Sequence, residues 1–381
     1  MMLRGRNAAN ADNVAAGKDA NAGRPVKRHS AANNGGEKGE PTAKRVALKD
    51  VSNIRINSSK KATLKAENVK QGESYGKGRL ARDVPASLDP CPGFDFDKEN
   101  AGDLLSVSDY ANDIFRYYKM REGRFRVSDY TKRQNHFAIK ARPVLVDWMV
   151  ELQEHFGLKH ETLYLAVKLM DTYVSRTKDI IRRDSFHLIS ATAIFIACKY
   201  DESSLPLIND LIYVSEDSFT WDELCAMERQ MFKVVGFDLG MPLSYRFLRR
   251  YAKVSWVDMT TLTLSRFILE TSLMFVEFVV VPDSLMAAAA FLLALRMMKV
   301  GDWNPVLEKY SGYKLEDVEP LMWSLNHMMR VRPTLPKHSR LNQIFNKYSD
   351  ETFFGVAETP LLEGGKSSSE PVGPPAALKT C

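Results

Sequence analysis

Ser190-Ala191-Thr192-Ala193-Ile194-Phe195-Ile196-Ala197-Cys198-Lys199 and Ser284-Leu285-Met286-Ala287-Ala288-Ala289-Ala290-Phe291-Leu292-Leu293-Ala294-Leu295 are one kind of helix written twice. Each is apolar on nearly every side and rich in alanine. A helix that is apolar all round belongs inside a core. Its small side chains let neighbouring helices approach the backbone closely. The spacing of the two stretches predicts a duplicated all-α protein, each half built around one buried central helix. Such an architecture presents surfaces rather than a pocket for chemistry.

Working outward, helical signals recur and strand periodicity is never sustained. Ser106-Val107-Ser108-Asp109 has the form of a capping box ahead of a helix near residues 107–121. Leu163, Ala166, Val167, Met170, Tyr173 and Val174 lie on one face of a helix over residues 160–175. Thr220-Trp221-Asp222-Glu223 opens a helix running to about Val235. Pro242 is expected in the first turn of the helix that begins the second half, and Asp283 is expected to cap its central helix. Val279-Val280-Val281 reads as a helix end. From Ala357 onward the Gly/Pro/Ser-rich composition predicts disorder.

Charge is distributed unevenly. Residues 1–90 hold 18 Lys/Arg against 9 Asp/Glu and one aromatic residue, Tyr75, of the chain's 38. A stretch so poor in large apolar groups cannot offset the entropy cost of ordering, so a disordered basic tail is expected. It lacks the interleaved aromatics that stack on bases, so nucleic acid is not the expected partner. Arg24-Pro25-Val26-Lys27-Arg28 and Lys44-Arg45 are candidate nuclear-import clusters. Met1-Met2-Leu3-Arg4-Gly5-Arg6 shows no signal-peptide run. Glu277 and Pro282-Asp283 break the longest apolar stretches short of the ~18 residues a membrane span needs, so no membrane partner is expected.

Chemistry is quickly weighed. The four cysteines, Cys91, Cys198, Cys225 and Cys381, have neither metal nor disulfide spacing. No two of the seven histidines share a helix face at ligand spacing; His155 and His160 are separated by Gly157. There is no glycine-rich phosphate loop and no nucleophile elbow. No metal, no cofactor and no enzymatic activity are expected.

Ala141-Arg142-Pro143-Val144-Leu145-Val146-Asp147-Trp148 resembles the cyclin signature Met-Arg-Ala-Ile-Leu-Val-Asp-Trp. The resemblance continues through His160-Glu161-Thr162-Leu163-Tyr164-Leu165-Ala166-Val167, Asp171-Thr172-Tyr173, Cys198-Lys199-Tyr200-Asp201-Glu202, Met227-Glu228 and Phe237-Asp238-Leu239. Tyr117-Tyr118-Lys119-Met120-Arg121-Glu122 and the ending from Lys347 to Ala357 resemble mitotic B-type cyclins, most closely the B-three subtype. The resemblance implies two tandem five-helix cyclin boxes preceded by an N-terminal helix. The boundaries are a tail over 1–92, a lead-in and helix over 93–135, boxes over 136–240 and 241–340, and a C-terminal extension and tail over 341–381.

It also implies roles. Lys199 and Glu228 match the pair that meets the backbone around the regulatory helix of a cyclin-dependent kinase. Arg142 and Asp171 match a structural pair joining the first two helices of the box, and Leu188 a packing position. Leu145, Trp148 and Glu151 match part of a groove that captures Arg-x-Leu peptides of protein substrates. Ala141 and Pro143 depart from that pattern, and the smaller Ala141 removes up to ~2 kcal/mol of apolar contact. In the tail, Arg45, Leu48 and Asn53 fit the destruction box through which the anaphase-promoting complex, a ubiquitin ligase, marks mitotic cyclins. Lys98-Glu99-Asn100 spells a second degradation motif, and Thr359-Pro360 a minimal proline-directed phosphosite. The implied function is an activating kinase subunit of mitosis and meiosis, nuclear and cytoplasmic, destroyed on schedule. The competing reading is a transcription-type cyclin or an initiation-factor-like tandem-box protein.

Overall fold

The computed structural model describes residues 89–103, 106–335, 340–364 and 370–378. Among them there is no strand. A short α1 (Phe96–Glu99) and a long α2 (Ser108–Glu122) lead in. The first bundle is α3 (Arg142–His155), α4 (His160–Arg176), α5 (Phe186–Asp201), α6 (Ile208–Val214) and α7 (Trp221–Val235). The second is α8 (Ser244–Val254), α9 (Met259–Ser272), α10 (Asp283–Met298), α11 (Pro305–Ser311) and α12 (Leu315–Val331), followed by α13 (Gln343–Ser349). The two alanine-rich stretches are the central helices α5 and α10. Every residue of Ile189–Cys198 and of Ser284–Leu295 is buried. α3, α4 and α7 surround the first, and α8, α9 and α12 the second. The duplicated five-helix architecture is the one the sequence predicts.

Several local expectations are corrected. Thr220 does close a reciprocal box with Glu223, but Ser106 does not cap α2. Its hydroxyl bonds Asp103 instead, and Val107 precedes the helix in a left-handed conformation. Pro242 lies outside α8, whose N-cap is Leu243. Asp283 is the first residue of α10 rather than its cap, and its carboxylate accepts from the Ser244 amide and from Lys168. The capping oxygens of α10 come from Glu122, which accepts from Ser284 N at 2.6 Å and Ser284 Oγ at 2.8 Å. A carboxylate at a helix N-terminus is favoured by the orphan amides and the dipole there. With the Arg246–Tyr118 hydrogen bond and the packing of Phe115 on Phe247, this contact fastens α2 to the second bundle. Val279-Val280-Val281 does follow a helix end, that of a single 3-10 turn, Val276–Phe278, capped by Val279 between α9 and α10.

Within the described residues, the stretch from Asp89 and the stretch after Ala357 are better anchored than composition suggests. Asp89 already pairs with Lys309 at 2.7 Å, and Arg250 grips Asp97 with both terminal nitrogens. Residues 357–364 and 370–378 are not the disordered tail expected from Ala357. Buried Asn326 both donates to and accepts from the backbone of Leu362, Arg330 donates to the Leu362 and Gly364 carbonyls, and His327 meets the Glu370 carbonyl.

α13 carries the most demanding electrostatics. Lys347 and Glu270 form a completely buried ion pair at 2.6 Å, with Tyr348 Oη donating to Glu270 and Lys347 also donating to Gln153. Burial is the largest single influence and would raise the Glu270 carboxyl, but the Lys347 charge and hydrogen bond, with the nearby His160, together outweigh it and hold the group at about 2. His160 Nδ1 stands 3.6 Å away, too long for a hydrogen bond, and burial keeps that ring below its ordinary 6.5. Lys347 is therefore the counter-charge at neutral pH. Lys347→Met is expected to cost about 3–5 kcal/mol, because it leaves the buried Glu270 carboxylate with only Tyr348 as a donor.

Acid adds to this. Glu270 is depressed below its ordinary 4.5, so its contribution is lost as pH falls from there toward 2. The unfolded chain protonates His160 more readily than the folded one, so stability also falls as pH drops through 6.5. Melting temperature should fall steadily on acidification below neutrality; a flat profile would rule this cluster out as a source of stability.

Candidate partner-binding surface

Lys199 lies in the last turn of α5 and Glu228 on α7, with Nζ and Oε1 2.7 Å apart. The ammonium sits 4.2 Å from the centre of the Phe195 ring, which fixes a side chain that would otherwise sample many rotamers. Lys199 is half-buried to exposed and Glu228 less so. Tyr200, the residue after Lys199, and Asp201 line a cleft together with Tyr117, Tyr118 and Arg121 of α2 and Phe237 to Met241 of the inter-box link.

Tyr117, Tyr200 and Phe237 are exposed there. Phe237 is held outward with φ of 63°, a costly left-handed conformation for an aromatic residue. It stacks on Phe232, directly after Gly236, whose φ of 94° closes α7. Arg121 donates to Asp238 at 2.6 Å and pins the link to α2. Tyr200 and Phe237 carry no role in the sequence reading, although both stand inside motifs it quotes. Their exposure is decided by packing across three elements.

Arg142 and Asp171 form a buried two-pronged pair, Nε to Oδ1 at 2.8 Å and Nη2 to Oδ2 at 2.7 Å. Tyr130 Oη also donates to Asp171, at 2.6 Å. The third arm of Arg142 crosses to the second bundle and donates to the Leu273 carbonyl at 2.6 Å. Burial is the largest single influence and opposes the guanidinium charge, and Asp171 and Tyr130 together more than compensate. The pair is thus a joint between boxes as well as within one.

The proposed docking patch needs one correction. Leu145 is 2% exposed and belongs to the core, whereas its neighbour Val144 is 48% exposed. Trp148 is half-buried under His187, ring centres 5.6 Å apart, and Glu151 is exposed. Pro143 occupies the first α-helical turn of α3, directly after the π-helical turn Phe137–Ala141. Asp147 accepts from the Gln343 amide at 3.1 Å and so ties this helix to α13. Leu188 packs, partly buried, against the core. Lys98 and Glu99 are exposed on α1, while Asn100 closes that helix and donates to the Phe96 carbonyl. Arg45, Leu48 and Asn53 lie outside the described residues. Among the described residues no cluster of three or more metal-ligating side chains occurs, and no helix is long and apolar enough to cross a membrane.

Fold and surface together define a tandem-repeat helical scaffold whose distinctive polar pairs serve packing or face outward. The sequence matches the cyclin N-terminal domain over residues 113–240 and the cyclin C-terminal domain over residues 242–362. It is 48% identical over 330 residues to the G2/mitotic-specific cyclin-B3 of Caenorhabditis elegans, covering 85% of each chain. It is 45% identical over 294 residues to the cyclin-B3 of Drosophila melanogaster, covering 74% of this chain and 50% of the fly protein. A viral cyclin structure from herpesvirus saimiri aligns with a TM-score of 0.46 at 19% identity, over 61% of this chain and 99% of the viral one. The chain belongs to the cyclin family, with the B3-type mitotic cyclins.

Proposed function

We propose that this protein is the activating subunit of a mitotic cyclin-dependent kinase. The observation that carries the reading is the oriented Lys199–Glu228 pair beside a cleft of exposed aromatics. A kinase becomes active when the glutamate of its regulatory helix pairs with its strand lysine, and a rigid helical surface can dock that helix in the active position. The charged pair gives register, and Tyr117, Tyr200 and Phe237 give apolar area. Trp148 and Glu151, with Val144 in place of Leu145, would hold protein substrates near the kinase. The setting is the nucleus and cytoplasm of dividing cells.

The test is reconstitution. Purified chain and a mitotic cyclin-dependent kinase should co-elute as a complex that phosphorylates histone, where either alone does not. Failure to co-elute with any mitotic cyclin-dependent kinase overturns the reading.

Timed destruction is part of the same proposal. It is supported by the destruction-box pattern at Arg45, Leu48 and Asn53 within a stretch whose composition cannot form a core. Arg45→Ala with Leu48→Ala should leave kinase activation intact and let the protein persist past anaphase in a mitotic extract. Should it vanish at the normal time, the segment is not the ligase's recognition site. If Lys98-Glu99-Asn100 acts as well, the combined variant should outlast either alone.

A further inference from the structure

Lys140, Val144, Trp148 and Glu151 follow one another at intervals of four, four and three residues, which places them on one face of α3 and the π-helical turn that precedes it. Lys140, Val144 and Glu151 are exposed and Trp148 is half-buried, as a shared outward face requires. The other side is the start of α5, where His187 stands edge-on to Trp148 and Arg183 lies one turn earlier. The surface they share is electrically two-ended. Glu151 makes one end acidic, Val144 and Trp148 make the middle apolar, and Lys140 with Arg183 makes the far end basic.

The basic end is unspent. Arg182, next to Arg183, is satisfied by Asp184 at 2.9 Å, and Arg133 donates to the Val174 and Ser175 carbonyls. Lys140 and Arg183 have no ion-pair partner within 4.0 Å among the described residues. The ring of His136, four residues before Lys140, stands 6.0 Å from that of Phe186, three residues after Arg183; burial first, then the charges of Arg183 and Lys140, push it below its ordinary value. Its Nδ1 is buried without a hydrogen-bond partner.

We infer that the Lys140–Arg183 end of this surface is a subsite for a phosphorylated serine or threonine on the docked substrate peptide. The inference rests on the proposed docking role of Val144, Trp148 and Glu151. From Lys140 to Glu151 the helix rises about 16 Å, at roughly 1.5 Å per residue. An extended peptide spans that distance in about five residues. The fitting ligand therefore carries a cationic residue at Glu151, an apolar residue over Trp148 and the phosphorylated residue about five positions from the cation. Two unpaired cations suit a group bearing about −1.5 to −2 charge and three acceptor oxygens better than a single carboxylate. Docking would then be strengthened by prior phosphorylation of the substrate.

The experiment uses the full chain and fluorescent synthetic peptides containing Arg-x-Leu. Each has a serine five positions from the arginine, on either side, in unmodified, phosphorylated or glutamate-substituted form. The phosphopeptide in one orientation should bind about tenfold tighter than the unmodified one at low salt, and the gain should shrink as salt rises. Lys140→Ala with Arg183→Ala should abolish that gain and leave the unmodified peptide's affinity in place; Trp148→Ala should weaken all three.

Equal affinity of unmodified and phosphorylated forms overturns the subsite while docking stands. So does a gain that survives the double substitution. A glutamate peptide matching the phosphopeptide overturns the assignment to phosphate. If no peptide binds a protein with an unchanged melting curve, the docking reading fails and this inference with it.

Discussion

Arg142→Ala is expected to destabilise the protein by about 3–5 kcal/mol, as removal of one partner from a buried ion pair does. Three hydrogen bonds disappear at once, two to Asp171 and one to the Leu273 carbonyl. Asp171 is left buried with Tyr130 as its remaining donor. Because one arm reaches the end of α9, the loss should loosen the seam between the boxes as well as the first box. Amide exchange near Leu273 should accelerate along with exchange in α3 and α4. In a folded unit of this size the melting temperature should drop by roughly 10 °C, at about 2–4 °C per kcal/mol. Arg142→Lys should fall between, since an ammonium is a point charge and cannot span both oxygens of Asp171 while reaching Leu273. A drop smaller than about 2 °C for Arg142→Ala would mean the pair contributes register but little stability.

The central helices were legible in the sequence because the signal is local. Ten to twelve consecutive apolar or small residues leave a helix no solvent-facing side, whatever surrounds it. The Thr220 box was legible for the same reason, with both partners inside one turn. Local patterns failed where the partner comes from far along the chain. Glu122 caps Ser284 across 162 positions, and no motif around Asp283 announces it. Lys347 meets Glu270 across 77 positions, so no pattern local to either residue announces that this lysine is buried. The C-terminal segment looked too polar to order, yet Asn326 bonds the backbone of Leu362 rather than any particular side chain. Within the signature, Leu145 and Val144 are chemically alike, and only the packing of α3 decides which of them faces out.

The second large effect concerns activation. Lys199→Ala combined with Glu228→Ala should leave the fold intact and remove kinase activation. The pair is too exposed to contribute much to stability; surface pairs of this kind are worth about 0–1 kcal/mol, so the melting temperature should hardly move. At an interface the same groups become desolvated, and truncating charged anchors costs about 2 kcal/mol or more, some thirtyfold or greater in affinity. Kinase affinity and histone phosphorylation should fall together.

A charge exchange separates contact from scaffolding. Lys199→Glu with Glu228→Lys restores an ion pair between α5 and α7 but inverts what a partner meets. If the native pair merely braces the two helices, the exchanged protein should activate kinase normally. If it engages the partner, the exchanged protein should be as inactive as the double alanine variant, with wild-type melting in both. Full activation by the double alanine variant would remove Lys199 and Glu228 from the interface. The cleft lined by Tyr117, Tyr200 and Phe237 would then have to supply the binding on its own.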